Sequence, residues 1–135
     1  MSIYALFAAS DGKSRIAALQ IVGSGPALDA PLPCAGWRPF QCDPGVVQSA
    51  HPTPLAGMTV ILDGCMEIGV GGGDLRNVKM VKGDMLLVLD TRGEGHSTAI
   101  TGQQRLRVTG VTFTARDWPA IRAAFSGWPD DLIAP

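Results

Sequence analysis

The sequence predicts an all-β fold, a small sandwich or barrel with one short C-terminal helix. Three observations predict it. Short β-tolerant runs recur along the chain, parted by turn clusters at spacings of roughly 8–12 residues. Glycine and proline are abundant, 17 and 10 in 135 residues, which suits many turns and short strands better than a helical bundle. One segment alone, near the C-terminus, carries a persuasive helical period.

The elements follow in order. Ile3 to Ala9 and Arg15 to Val22 are apolar runs around the turn cluster Asp11-Gly12-Lys13-Ser14, which predicts a hairpin. Gly23 to Gly36 has no periodicity and holds Pro26, Pro31 and Pro33, so it reads as an irregular connection over the barrel surface. Trp37 to Gln41 is a short strand, and Asp43-Pro44-Gly45 a turn. Val46 to His51 is a strand closed by Pro52 and Pro54. Met58 to Asp63 and Cys65 to Val70 flank Asp63-Gly64, a tight-turn dipeptide that predicts a second hairpin. Gly71-Gly72-Gly73-Asp74 turns the chain into Leu75 to Val81, and Lys82-Gly83-Asp84 into Met85 to Leu89. Asp90 to Gly95 is a polar loop and His96 to Ile100 a strand. Gln104 to Thr114 alternates polar and apolar residues, with an irregularity expected at Gly110. Asp117 as cap and Pro119 in the first turn open the helix. Trp118, Ile121, Ala124, Phe125 and Trp128 fall near one face of it, and Gly127 and Pro129 end it. The length suits one domain over 1–135: hairpin and connection at 1–36, barrel core at 37–114, helix and tail at 115–135.

Composition excludes several functions. The net charge is −1 and no basic stripe exists, so no nucleic-acid partner is expected. Apolar stretches are strand-sized, so no membrane span is expected. The start, Met1 to Ala9, lacks a basic region and meets Asp11 and Gly12 too early for a signal peptide. Cys34, Cys42 and Cys65 are odd in number and lack CxxC spacing, which predicts free thiols and a cytoplasmic setting. Gly71-Gly72-Gly73 is not followed by GK[ST], and Ser10, Ser14 and Ser97 have no GxSxG context. Neither a phosphate loop nor serine hydrolysis is expected.

Two half-motifs carry chemistry. In the first, five residues part Gly45 from His51; Thr53 follows one residue on, Gly57 three further, and Gly64 after six more. The second opens at Gly83-Asp84 and closes on Asp90-Thr91-Arg92-Gly93-Glu94-Gly95-His96, a DTxGxGH loop, with Ile100 beyond it. Together, over Gly45 to Ile100, they resemble the paired motifs of cupins, and the loop resembles that of small single-domain bacterial members of the RmlC-like cupin superfamily. The resemblance implies a double-stranded β-helix, or jelly-roll barrel, with a metal in its lumen. The chain departs from the pattern at the ligands. Thr53 stands where the second His would be, Gly57 where Glu would be, and Ile100 where Asn would be. The loop is also two residues longer and lacks its Pro. His51 and His96 are what remains.

Alternate residues of a strand face one side, so His51, Thr53, Gly57, Thr59 and Ile61 share a face. With His96 arriving from another strand, the expected ligand pocket is His51, Thr53, Thr59, Ile61 and His96. The candidates for catalysis are His51, His96 and Asp90. A divalent transition metal wants three or four N or O donors with a position left open, and the motif positions supply two, so no cofactor is expected. The first reading is therefore a pocket for a small molecule, with or without catalysis, in which the histidines hydrogen-bond or move protons. A second is a metal-dependent cupin oxygenase or isomerase, with His51 and His96 completed by Glu67, Asp90, Glu94 or Cys65. A third is a non-catalytic interaction or sensor module. Asp90 either orients His96 or caps its own loop, and the loop role is the commoner one for such an Asp. Arg92 and Glu94 read as flanking the pocket mouth.

A homodimer is expected as well. Met58, Val60 and Leu62 make the opposite face of their strand apolar, and a strand apolar on both faces needs a second cover. The hairpin from Ile3 to Val22 reads as an apolar sheet edge, which recruits another strand. The alternative cover is residues 1–30 with the C-terminal helix.

Overall fold

The computed structural model describes residues 1–23 and 31–135, and there the apolar alternation is realised as strands β1 (Ile3–Ala8), β2 (Ser14–Ala18), β3 (Gln20–Ile21), β4 (Gly36–Cys42), β5 (Val47–His51), β6 (Gly57–Asp63), β7 (Cys65–Val70), β8 (Asn77–Val81), β9 (Met85–Val88), β10 (His96–Thr101), β11 (Leu106–Thr112) and β12 (Phe125–Ser126), with helix α1 (Trp118–Ala123). Six strands form one sheet in the order β2-β1-β9-β6-β11-β4, and four form a facing sheet in the order β5-β10-β7-β8. A two-stranded pair, β12-β3, lies apart. The expected connection over Gly23 to Gly36 falls in part on residues 24–30, which lie outside the described residues.

Alternation divides the apolar residues of the six-stranded sheet between two cores. In β1, Ile3, Ala5 and Phe7 point outward while Leu6 points between the sheets. In β9 and the residue after it, Leu87 and Leu89 go outward and Leu86 inward. The inner core meets Met66, Ile68, Val78, Met80 and Ile100 of the facing sheet. The outer core is covered by Phe113, Trp118, Ile121 and Phe125, so α1 lies on the outside of the barrel. Trp128 closes this cover, its ring edge-on to Trp118 at 5.2 Å and to Phe125 at 6.3 Å between centroids. A sheet apolar on both faces is thus covered on its inner face and over part of its outer one.

Three expectations change. The pair flanking Asp63-Gly64 is no hairpin: β6 belongs to the six-stranded sheet and β7 to the facing one. A two-residue turn of the type that Asp-Gly favours needs positive φ at both central residues, and here Gly64 has φ 76° while Asp63 does not lie at positive φ. The dipeptide turns a barrel corner instead. The amino-terminal hairpin forms, from Tyr4 opposite Ala18 to Ala8 opposite Ser14, but its first strand is not an edge. β1 also pairs in parallel with β9, which leaves β2 as the edge. The helix stops at Ala123, because Phe125 and Ser126 leave it to pair with Ile21 and Gln20. Asp117 holds the N-cap position, yet its carboxyl accepts from the N–H and the hydroxyl of Thr114 rather than from the helix.

The face expected to seek a partner is partly covered by the chain itself. Met58 packs against the outer core beside the helix. Val60 is half-buried, and Leu62 remains 49% exposed.

β4 and β5 are the edges of their respective sheets at the same side of the barrel, joined by the short turn after Cys42. Both strands are exposed along most of their length. The sheets part there, and the space between them opens to solvent.

Candidate functional site

The site is built where β10 begins. His96, its first residue, stands opposite His51 of β5 on one side and Val70 of β7 on the other. His96 is buried, 8% exposed, and His51 lies at the rim. Their ring centroids are 5.4 Å apart, with the planes tilted by 37°. The loop from Asp90 to Gly95 brings them together. Gly95 has φ 75°, a region L-residues avoid, and a Cβ there would collide with the backbone of His51 and Pro52. The loop can lie against the end of β5 because that position has no side chain. The N–H of Thr53, which donates to the Asp90 carbonyl at 3.0 Å, also fastens it there.

Asp90 is fully buried and it does orient His96. Its Oδ2 accepts from the Ser14 hydroxyl at 2.8 Å and faces Nδ1 of His96 at 2.9 Å. Its Oδ1 has no partner among the described residues. The loop-capping role favoured from sequence is not the one observed. A carboxylate at that oxygen keeps the His96 proton on Nδ1 and leaves Nε2 as a lone pair. His51 is set the same way, since its Nδ1 lies 2.9 Å from the Ser49 carbonyl, which can only accept. In their neutral forms both rings therefore offer Nε2 as an acceptor.

Both histidines line a cavity of about 480 Å³ between the sheets, within the roughly 300–1,000 Å³ of small-molecule sites. Thr53 and Thr59 line it too. Ile61 does not: it is 1% exposed, packed in the inner core with Leu6 and Val108. Strand parity names the face a residue takes but not its depth along the barrel, and at Ile61 the lumen is already filled. Arg92 and Glu94 are also absent from the walls. Arg92 reaches the Ala134 carbonyl at 3.5 Å, and Glu94 is exposed beside Gly71. Among the wall residues that sequence reasoning missed are Arg38, Phe40, Gln48 and Thr98. No local signal separates the first two from their neighbours, since the strand that carries them is exposed along most of its length. Sequence reasoning also missed Ser14 as the second donor to Asp90, for which no local signal exists.

The residues present do not fit a resident metal. Among the described residues no three His, Cys, Asp or Glu side chains gather as a ligand set. Thr53 spends its hydroxyl on the Leu55 carbonyl at 3.0 Å. At Gly57, where the motif would carry Glu, a Cβ would overlap the Val111 carbonyl oxygen, so the backbone excludes a ligand there. Cys65 bonds to Thr101, and Glu67 stands exposed opposite Lys79 on the outer side of β7. Asp90 is engaged by Ser14 and His96.

No family model and no curated protein matches the chain. Solved structures do. The cupin domain of Schizosaccharomyces pombe Cnp3 is 19% identical, with a TM-score of 0.50 over 82% of this chain and 79% of that one. A Cupin 2 conserved barrel domain protein from Salinispora arenicola is 16% identical, with a TM-score of 0.44 over 79% of this chain and 83% of that one. The conserved SPY1581 protein of unknown function from Streptococcus pyogenes is 20% identical, with a TM-score of 0.44 over 58% of this chain. The match spans 64% of the streptococcal chain, just under two thirds of its length. The likeness to the Cnp3 domain shows the fold: the two facing sheets form a cupin barrel.

Proposed function

We propose that this cupin barrel binds a small organic molecule between its sheets without a resident metal, and that Nε2 of His96 accepts a proton or hydrogen bond from it. The observation that supports this reading is the buried Ser14–Asp90–His96 chain at the wall of the cavity. A buried carboxyl behind an imidazole fixes its tautomer and direction, as in general-base sites and behind metal-bound histidines alike. The donor set stops at two imidazoles, which favours the first of these. His51, at the rim, is the second acceptor. A cytoplasmic setting belongs to the same reading, supported by three free thiols. Among the described residues no helix is long and apolar enough to cross a membrane.

Metal content and ligand stabilisation test it together. Untagged protein purified without chelator is expected to hold far less than one transition metal per chain. A small-molecule screen is expected to yield compounds that raise the melting temperature by mass action, an effect lost in His96→Ala. Near-stoichiometric metal that disappears in the His51→Ala, His96→Ala double variant would establish the oxygenase or isomerase reading instead.

We also propose that the chain works as a homodimer. Across the outer face of the six-stranded sheet, Pro39, Thr109 and Val60 stand in one row, beside Trp37 and Leu62. Trp37 is 69% exposed and Leu62 49%, so the edge-strand side of the face and the far end of β6 lie beyond the cover that α1 provides. Sedimentation equilibrium is expected to give twice the 14.1 kDa chain mass, reverting toward one chain mass in Trp37→Glu. A wild-type species at a single chain mass rejects the dimer.

A further inference from the structure

We infer that the molecule taken by the cavity carries a carboxylate and that Arg38 holds it. The inference rests on the reading of the cavity as a ligand site and adds its chemical class. Among the described residues, Arg38 is the one permanently charged side chain in the walls, and no Asp or Glu lines them. The ion pairs of the described residues engage Arg15, Arg105, Arg107 and His96, and none engages Arg38. Its guanidinium carbon lies 5.5 Å from the centre of the Phe40 ring, two residues along on the same face. That contact steadies the cation over the ring, while its five N–H donors find no acceptor in the ring and serve a ligand.

The strand register puts this cation inside the mouth rather than on the outer wall. On the inner face of the six-stranded sheet one row runs Arg38, Gly110, Thr59, Leu86. The neighbour of Arg38 in that row has no side chain, so the space in front of the guanidinium is open. The histidines stand on the facing sheet, and the wall between is apolar, with Ile68, Leu86, Val88 and Ile100. A molecule that fills this space is apolar in its middle and polar at both ends.

The two ends are not interchangeable. With Nδ1 occupied, the neutral imidazoles present lone pairs, which repel a carboxylate and suit an O–H or N–H. Arg38 presents only donors, in a fork matched to a carboxylate. The anionic group therefore goes to Arg38 and a donating group to His51 and His96. A phosphate is disfavoured, because the walls offer one guanidinium, and α1 lies on the far side of the sheet.

Three probes of one shape, each with a phenol at the end opposite the varied group, test this: 3-(4-hydroxyphenyl)propanoate, its neutral amide and 3-(4-hydroxyphenyl)propylamine, titrated by calorimetry into wild-type protein, Arg38→Met and Arg38→Lys. Arg38 is exposed, so circular dichroism and melting temperature are expected to be unchanged in both variants. The carboxylate probe is expected to bind on the order of tenfold more tightly than the amide, the amine more weakly than either, and both histidine ring signals are expected to shift in NMR spectra as the phenol donates to them. Arg38→Met is expected to bring the acid down to the affinity of the amide without changing the amide, and Arg38→Lys to keep part of the preference. Acid and amide binding equally would overturn the carboxylate and leave the ligand site standing. A preference for acid that survives in Arg38→Met would overturn the assignment to Arg38. Binding of none of the three up to millimolar concentration would overturn both this inference and the cavity's role.

Discussion

Gly95→Ala is expected to lower stability by about 3–5 kcal/mol, a large part of the total for a domain of this size. Two effects add. An L-residue held at positive φ costs about 1–2 kcal/mol by itself. The added methyl also meets the carbon and oxygen of His51 and the nitrogen of Pro52. These are backbone atoms, so no rotamer change relieves the overlap, and the loop must lift away from the end of β5. Lifting it breaks the bond from Thr53 N–H to the Asp90 carbonyl and separates the two imidazoles. Gly83→Ala is the control, since Gly83 has φ 91° and nothing within reach of a Cβ. It carries the conformational cost without the collision, about 1–2 kcal/mol. Urea unfolding of the two variants decides the matter. Equal midpoints would mean that the approach of the loop to His51 is not what Gly95 provides. The ligand-induced rise in melting temperature is expected to vanish in Gly95→Ala alone.

What was legible in the sequence was local or periodic. Turn clusters located the strands to within a few residues, because a hairpin such as Ile3 to Ala18 depends on residues next to one another. His51, Thr53 and Thr59 do line one cavity, though from two facing sheets rather than from one strand face, and the spacing of the two half-motifs matched His96 to them. The failures share a cause: each depended on a partner distant in sequence. Asp63-Gly64 has hairpin chemistry, yet the flanking strands are claimed by β9 and β11 on one sheet and by β8 and β10 on the other. Asp90 has loop chemistry, yet Ser14, 76 residues away, and the buried edge of His96 claim its carboxyl. Arg38 sits in a short exposed strand with nothing local to mark it. Only the pairing of β4 with β11 turns it toward the lumen and sets Gly110 beside it.

Asp90 is where stability and chemistry can be separated. Asp90→Ala removes the acceptor of two buried donors, the Ser14 hydroxyl and Nδ1 of His96. Each unsatisfied donor costs about 1–3 kcal/mol, so a loss of about 3 kcal/mol is expected. Asp90→Asn keeps the shape and one acceptor oxygen but presents N–H groups where the site already holds donors. The network can satisfy them only if His96 accepts at Nδ1 and carries its proton on Nε2. The cost in stability is then about 1–2 kcal/mol, while the face that His96 turns to the cavity changes from acceptor to donor. Nitrogen-15 NMR of the imidazole reads this directly, because protonated and unprotonated ring nitrogens resonate far apart. Wild-type protein in its neutral form is expected to show the proton on Nδ1, and Asp90→Asn to show it on Nε2. A ligand that donates to His96 is expected to lose affinity in Asp90→Asn by more than the stability change explains. Ser14→Ala, which takes away one donor and leaves the carboxyl with His96, is expected to change neither the tautomer nor the binding. An Asp90→Asn protein with the wild-type tautomer and undiminished binding would reduce Asp90 to a packing residue, and with it the general-base role of His96.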